Sequence, residues 1–145
     1  MMKSWLDNKL VKFALVGGVG FVADTLVFAI SFKLLLMPIL SARLVAFVCA
    51  ATVTWLGNRL FTFCTSSQIE PWSFWGTLKQ WGKFMLSASI SAIPNLLLFK
   101  AIIILFGSEG FVPFAALVAG ILVGMFSNFL LSSRWVFQPS QDKSN

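Results

Sequence analysis

The sequence predicts an all-α integral membrane protein: four transmembrane helices built from two parallel two-helix repeats. Three observations carry this expectation. The composition is too apolar for a soluble domain, four charge-poor stretches have membrane-spanning length, and the second half of the chain matches the first. Of 145 residues, 58% are hydrophobic and 11% charged, with a mean hydropathy of +0.87, whereas an ordinary soluble domain carries about a quarter charged residues. So few polar groups could not cover a globule of this size, and the apolar side chains are left to face lipid or neighbouring helices.

The elements follow from the spacing of charge. Between Lys12 and Lys33 lie 20 residues charged only at Asp24, and between Lys33 and Arg59 lie 25 charged only at Arg43. Between Lys83 and Glu109 lie 25 charged only at Lys100, and between Glu109 and Arg134 lie 24 with no charge. At ~1.5 Å per residue, some 20 residues cross a hydrocarbon layer of roughly 30 Å. Helices are therefore expected over about residues 11–32, 39–61, 83–106 and 112–134. They form a single membrane domain spanning 1–145, with one repeat over about 8–63, an interfacial loop over about 64–82 and a second repeat over about 83–137.

The first helix follows lysines, as a signal peptide does, but its length, its internal Asp24 and the lack of a small-residue cleavage site argue that it is retained. Within it, GVGFVAD (18–24) has the glycine spacing of a dinucleotide-binding turn. That fold needs a preceding strand, an amphipathic helix and an acid about 20 residues on. Here TLVFAISF follows without a polar face, and the next acid is Glu70. Gly17, Gly18 and Gly20 are better explained as places where another helix approaches closely.

The second and fourth helices share a stripe at every fourth position: Ala42, Ala46, Ala50, Thr54 and Asn58 in one, Ala116, Gly120, Gly124, Asn128 and Ser132 in the other. Residues four apart share a helix face, so each copy presents a groove of small residues ending in polar ones. The connecting PWSFWGTLKQW (71–81) repeats Trp72, Trp75, Leu78 and Trp81 every three residues. Either a short interfacial helix or a loop anchored by its tryptophans accounts for that pattern.

Lys3, Lys9, Lys12, Arg59, Lys79, Lys83, Arg134 and Lys143 all fall on one side of this arrangement, which the positive-inside rule makes cytoplasmic, with both termini. Trp5, Trp72, Trp75, Trp81 and Trp135 lie near the same boundary and Trp55 about one turn inside it, as amphipathic rings favour the headgroup zone.

The repeat is explicit. An offset of 71 lays KFALVGGVGFVADTLVF, from Lys12, on KFMLSASISAIPNLLLF, from Lys83, and Asp24 on Asn95. An offset of 74 lays TWLGNRLFTF, from Thr54, on NFLLSSRWVF, from Asn128. Two helices per copy give both copies the same direction through the membrane, hence a pseudo-twofold axis along its normal.

A charge near the bilayer centre costs at least about 2.5 kcal/mol, so Asp24 needs a partner, and Arg43 lies at a depth its stem can reach. The pair is open to three readings: a static tie between helices, an anion site at Arg43 positioned by Asp24, or a titrating group in proton coupling. Asn95 either meets a sugar hydroxyl or cross-links helices beside Pro94, and Asn128 and Thr54 carry the same ambiguity. Arg59 and Arg134, beside Asn58 and Ser133, offer planar forks suited to phosphate, or serve orientation alone. Lys100 is expected to snorkel to the outer surface. No histidine is present and only five residues are acidic, so no catalytic set, metal site or cofactor is expected. Nor is a nucleic-acid partner expected. Cys49 and Cys64 stand about 22 Å apart along one helix axis, too far to pair.

The elements KFALVGGVGFVAD, ARLVAFVCAATVTWLGNRLFTF, the second KF at Lys83 and FSNFLLSSRWVF resemble the four-helix GtrA-like membrane proteins, over about residues 8–137. The resemblance implies a bacterial inner-membrane protein, not an enzyme, that flips a polyprenyl-phosphate-linked monosaccharide to the periplasmic leaflet for polysaccharide or lipopolysaccharide modification. It implies a membrane glycosyltransferase as partner. The residues expected to bind the substrate are Asp24, Arg43, Asn58, Arg59, Asn95, Asn128 and Arg134. The expected packing residues are Gly17, Gly18, Gly20, Ala46, Ala50, Gly120 and Gly124; the face of Gly120 and Gly124 is a candidate contact of an expected homo-oligomer, or packs within the chain. The alternative is a non-transporting anchor for the glycosyltransferase.

Overall fold

The computed structural model describes residues 2–64 and 72–138, with side chains from residue 9 onward. The side chains of Lys3 and Trp5, the expected boundary position of Lys143 and residues 65–71 of the expected loop lie outside what is described. The described residues form four long helices and no strand: α1 (Met2–Ala29), α2 (Ile39–Gly57), α3 (Phe74–Phe106) and α4 (Val112–Leu131). All four, with the turns that extend them, are long and apolar enough to cross a membrane.

Helix α3 begins at Phe74 rather than near residue 83. Ser73 accepts a hydrogen bond from the Gly76 N–H at 3.1 Å, satisfying one of the donors that every helix start leaves open. The tryptophan-rich segment is thus neither a separate interfacial helix nor a loop after residue 73. Thirty-three residues make about 50 Å of helix, so α3 outruns a bilayer core of roughly 30 Å, and its first turns project. Pro94 sits inside α3 without ending it.

Three helices close in π-helical turns that periodicity did not predict: Ile30–Leu34, Asn58–Thr62 and Ser132–Val136. The wide turn bonds the Phe63 N–H to the Asn58 carbonyl at 2.9 Å and the Phe137 N–H to the Ser132 carbonyl at 2.9 Å. These two turns occupy residues matched by the offset of 74. Each brings an extra residue into the last turn and turns the closing phenylalanine inward.

Helix α1 packs chiefly on α2 and α3 on α4; the two hairpins meet where α2 touches α3 and α1 touches α4. The starts of α1 and α3 and the ends of α2 and α4 share one end, the basic end, where Lys9, Lys12, Arg59, Lys79, Lys83 and Arg134 gather. The hydrophobic core lies there too: Phe13, Trp55, Phe63, Phe84, Phe129, Val136 and Phe137. Six of the seven are repeat-matched pairs, Phe13 with Phe84, Trp55 with Phe129, and Phe63 with Phe137. The last two stack on each other, centroids 4.5 Å apart and planes 16° from parallel, while Phe13 meets Phe129 and Phe84 meets Phe137 edge-on.

Away from this core the hairpins close on small residues. A Cβ on Gly20 would collide with the Thr54 hydroxyl oxygen and stand 3.5 Å from the Ala50 carbonyl oxygen. One on Gly120 would stand 2.5 Å from Asn95 Oδ1 and 2.8 Å from its carbonyl oxygen, and one on Gly124 would stand 3.2 Å from the Ser91 carbonyl oxygen. Ala46 is fully buried. Gly17 and Gly18 do not belong to this set: a Cβ on either meets nothing within 4 Å. Among the described side chains of α1 the buried positions are Lys9, Phe13, Val16 and Gly20, a 4-3-4 spacing along one face, and residues 17 and 18 are turned away from it. Gly57, not singled out by the sequence, is the close approach to Val16, at 2.8 Å.

The face of Gly120 and Gly124 is therefore an intrachain contact occupied by α3, the second of the two arrangements expected for it and not the oligomer contact. Gly120→Ala is expected to lower stability by about 1–3 kcal/mol through overpacking. Gly18→Ala should hold or gain up to ~1 kcal/mol from helix propensity. Thermal unfolding in detergent compares them, and equal midpoints would refute the packing described.

Candidate functional site

Two polar stations lie along α2 and the π turn that closes it, one toward each end. At the far end Arg43, in the second turn of α2, reaches Asp24 on α1: Arg43 Nη1 donates to Asp24 Oδ2 at 3.0 Å. The approach expected from depth is therefore present. The Arg43 side chain is 55% exposed and that of Asp24 23%, so the pair rests on the flank of the hairpin rather than in its core. The guanidinium carbon lies 5.2 Å from the centre of the Phe28 ring, and Phe28 stacks on Phe32. An aromatic face is a favourable seat for a cation with little water around it.

Asn95, matched to Asp24 by the repeat, is placed differently: it packs against Gly120 and Gly124 of α4. This contact and that of Gly20 with Thr54 close the small-residue stripes, so neither stripe is an open path for a headgroup. Asn58 is completely buried, and its Oδ1 accepts the Thr62 hydroxyl at 2.8 Å. Asn128 Oδ1 accepts the Ser132 hydroxyl at 3.4 Å. Asn58 opens the π turn Asn58–Thr62, and Asn128 sits one turn before Ser132, which opens the π turn Ser132–Val136.

Arg59 forms the second station, at the basic end. Though charged, it is only 3% exposed. Its Nη1 donates to Gln80 Oε1 of α3, and its guanidinium carbon stands 4.1 Å from the centre of the Trp72 ring and 6.0 Å from that of Trp55. Beside it opens a groove of about 380 Å³ lined by Trp55, Trp72, Ser73, Phe74, Thr77, Leu78 and Trp81. The Trp81 indole N–H donates to Thr52 Oγ1 at 3.0 Å, which fixes that ring to α2. Trp75 is 76% exposed and takes no part in the lining.

Arg134 is not the counterpart of Arg59. The offset of 74 pairs Arg59 with Ser133 and Arg134 with Leu60, and Arg134 is exposed. Two other cations of this end meet rings in repeat-matched fashion: Lys12 lies over Phe61 and Lys83 over Trp135, at 5.3 and 5.7 Å. The surroundings of Arg59 escaped the sequence reading, although the tryptophans of 72–81 and their nearness to Arg59 at one boundary were on view. What was missing was the register of α3, since only a helix starting at residue 74 turns Gln80 and Trp81 toward α2.

If the far-end contact is a specific pair, Arg43→Gln and Asp24→Asn each lower the unfolding midpoint, and the double variant loses less than their sum. A coupling of about 1 kcal/mol is expected for a pair so exposed. Strict additivity in a double-mutant cycle would show that the contact contributes nothing.

Residues 12–137 match the family model described as GtrA/DPMS, transmembrane domain. A comparison with curated proteins finds no match.

Proposed function

The chain belongs to the GtrA/DPMS transmembrane-domain family, and from that premise we propose that it carries a polyprenyl-phosphate-linked monosaccharide from the cytoplasmic to the periplasmic leaflet. It is a multi-pass membrane protein of a family associated with polysaccharide synthesis. The observation that carries the finer reading is the pair of arginines on α2 and its closing π turn. Arg59 is enclosed at the basic end, and Arg43 is ion-paired at the far end, about 24 Å along the axis at 1.5 Å per residue.

The physical task of such a protein is to lower the cost of drawing a phosphate and a sugar through hydrocarbon, where an ion without a partner is strongly disfavoured. The prenyl tail needs no help, because it remains in lipid. With the basic end cytoplasmic by the positive-inside rule, Arg59 meets the phosphate first, and its planar fork suits phosphate oxygens. Arg43 receives it toward the periplasm. Its exposed guanidinium can take the phosphate in exchange for the Asp24 carboxylate, so the cation keeps an anionic partner throughout. The small-residue stripes are closed by packing, so the headgroup travels along the outer flank of α2. A second copy of the chain, or the glycosyltransferase that makes the donor, covers that flank from the lipid. Arg134, exposed at the end of α4, contributes positive charge to the cytoplasmic face.

Reconstitution tests this directly. Vesicles holding the purified chain and labelled polyprenyl-phosphate glucose or mannose should exchange the lipid between leaflets faster than protein-free vesicles. Arg59→Gln and Arg43→Gln should each slow exchange about tenfold or more, the loss of roughly 1.4 kcal/mol. Absence of any acceleration by the unmodified chain would favour a non-transporting anchor for the glycosyltransferase. Unchanged exchange in Asp24→Asn with lowered stability would leave that carboxylate a structural tie only.

A further inference from the structure

The repeat relates two mouths at the basic end, one between α2 and α3 and one between α4 and α1, and they are built differently. The first holds Arg59, Trp55, Gln80 and Trp81; the matched positions in the second hold Ser133, Phe129, Lys9 and Leu10. Only the first has the groove of three tryptophans described above.

Within that groove one group stands out. Trp55 is 6% exposed, and its indole N–H is buried without a hydrogen-bond partner, although an indole donor enclosed in a protein normally finds one. The equivalent N–H of Trp81 is satisfied by Thr52, so the difference is one of position and not of residue type. Phe129, the matched residue, has no such donor to satisfy. A buried donor on the wall of a groove, beside an arginine, suits an occupant that brings an acceptor and negative charge. The start of α3 lies in the same wall at Ser73 and Phe74, where the helix dipole and open backbone N–H groups also favour an anion. The remaining surface is aromatic, and the volume falls within the roughly 300–1,000 Å³ of small-ligand sites, which combine such walls with a few placed polar groups.

We propose that the mouth between α2 and α3 alone is the loading site for the sugar-phosphate headgroup of a lipid. Arg59 faces the phosphate, the Trp55 N–H donates to a phosphate or hydroxyl oxygen, and Trp72 and Trp81 present ring faces to the sugar. Ser73 and Thr77 supply hydroxyls at the rim. The occupant is lipid-linked rather than free, because tryptophans of this kind hold a groove at the level of the headgroups, where the tail of a lipid enters the bilayer beside it. The opposite mouth, with Phe129 and Ser133, does not load. This assignment rests on the transport reading for its substrate.

The test uses the full chain in nanodiscs and a radiolabelled ten-carbon prenyl-phosphate glucose, with two further probes: the same prenyl phosphate without sugar, and glucose 1-phosphate. Saturable binding of the glycolipid is expected. Trp55→Phe should weaken it about tenfold; phenylalanine keeps an aromatic ring in the core and is the residue at the matched site, and an unfolding midpoint in detergent checks that the variant is folded. Trp72→Ala, at an exposed position outside the core, should weaken it likewise, and Trp135→Phe should leave it unchanged. Binding unaffected by both Trp55→Phe and Trp72→Ala would overturn the assignment. Equal binding of the sugar-free lipid would show that the groove does not read the sugar, and equal binding of glucose 1-phosphate would show that it is not a lipid site; either result overturns it. Leaflet exchange separates the two proposals. Binding with these sensitivities but no exchange would refute transport and keep the site, whereas exchange at full rate in both variants would refute the site and keep transport.

Discussion

Between helices surrounded by hydrocarbon there is no hydrophobic gain from contact, so the fold rests on how closely Gly20 meets Thr54 and how closely Gly120 and Gly124 meet Asn95 and Ser91. These contacts hold each hairpin together through its middle. They also decide what the middle of the molecule cannot be. A stripe of small residues reads as a groove when one helix is considered alone, but its partner helix fills it. Whatever polar cargo passes must do so outside the hairpins, and the polar stations are found there or at the ends.

At the basic end the constraint is relaxed and bulky rings take over. Six matched aromatics meet around the contact of Phe63 with Phe137, tying the two hairpins where they otherwise touch little. The two π turns make this possible by directing each closing phenylalanine inward. The same turn carries Asn58 and Arg59 into the interior with Thr62 and Phe63, all four buried. A widened turn at that place therefore positions both a core residue and the enclosed arginine, in keeping with the frequent presence of π turns at functional sites.

Much of this was legible in the residues. Charge spacing located the four spans, the depth argument joined Asp24 to Arg43, and the offset of 74 aligned Phe63 with Phe137, which stack on each other. The misses share a physical origin. Counting glycines did not distinguish Gly20 from Gly17 and Gly18, because orientation is a property of the helix face. Charge at the boundary made Arg59 and Arg134 look alike, although the wide turn buries one and leaves the other exposed. The start of α3 was hidden because a tryptophan-rich segment is amphipathic enough to lie on a membrane and helical enough to extend a span; the cap at Ser73 and the bonds to Thr52 and Arg59 favour the second.

Phe63 facing Phe137 is a residue facing its own image, the geometry of an isologous interface between identical subunits. Two identical hairpins would be bound to stay alike, since every substitution would appear on both sides of the axis. Joining them in one chain lifts that bond. Residues on the axis gain nothing by diverging and keep the same identity in both halves. Residues at the periphery are free to part, so that arginine and tryptophan on one side stand opposite serine and phenylalanine on the other. A fused dimer can thus retain a symmetric scaffold and acquire a direction of approach that no strictly symmetric pair could encode.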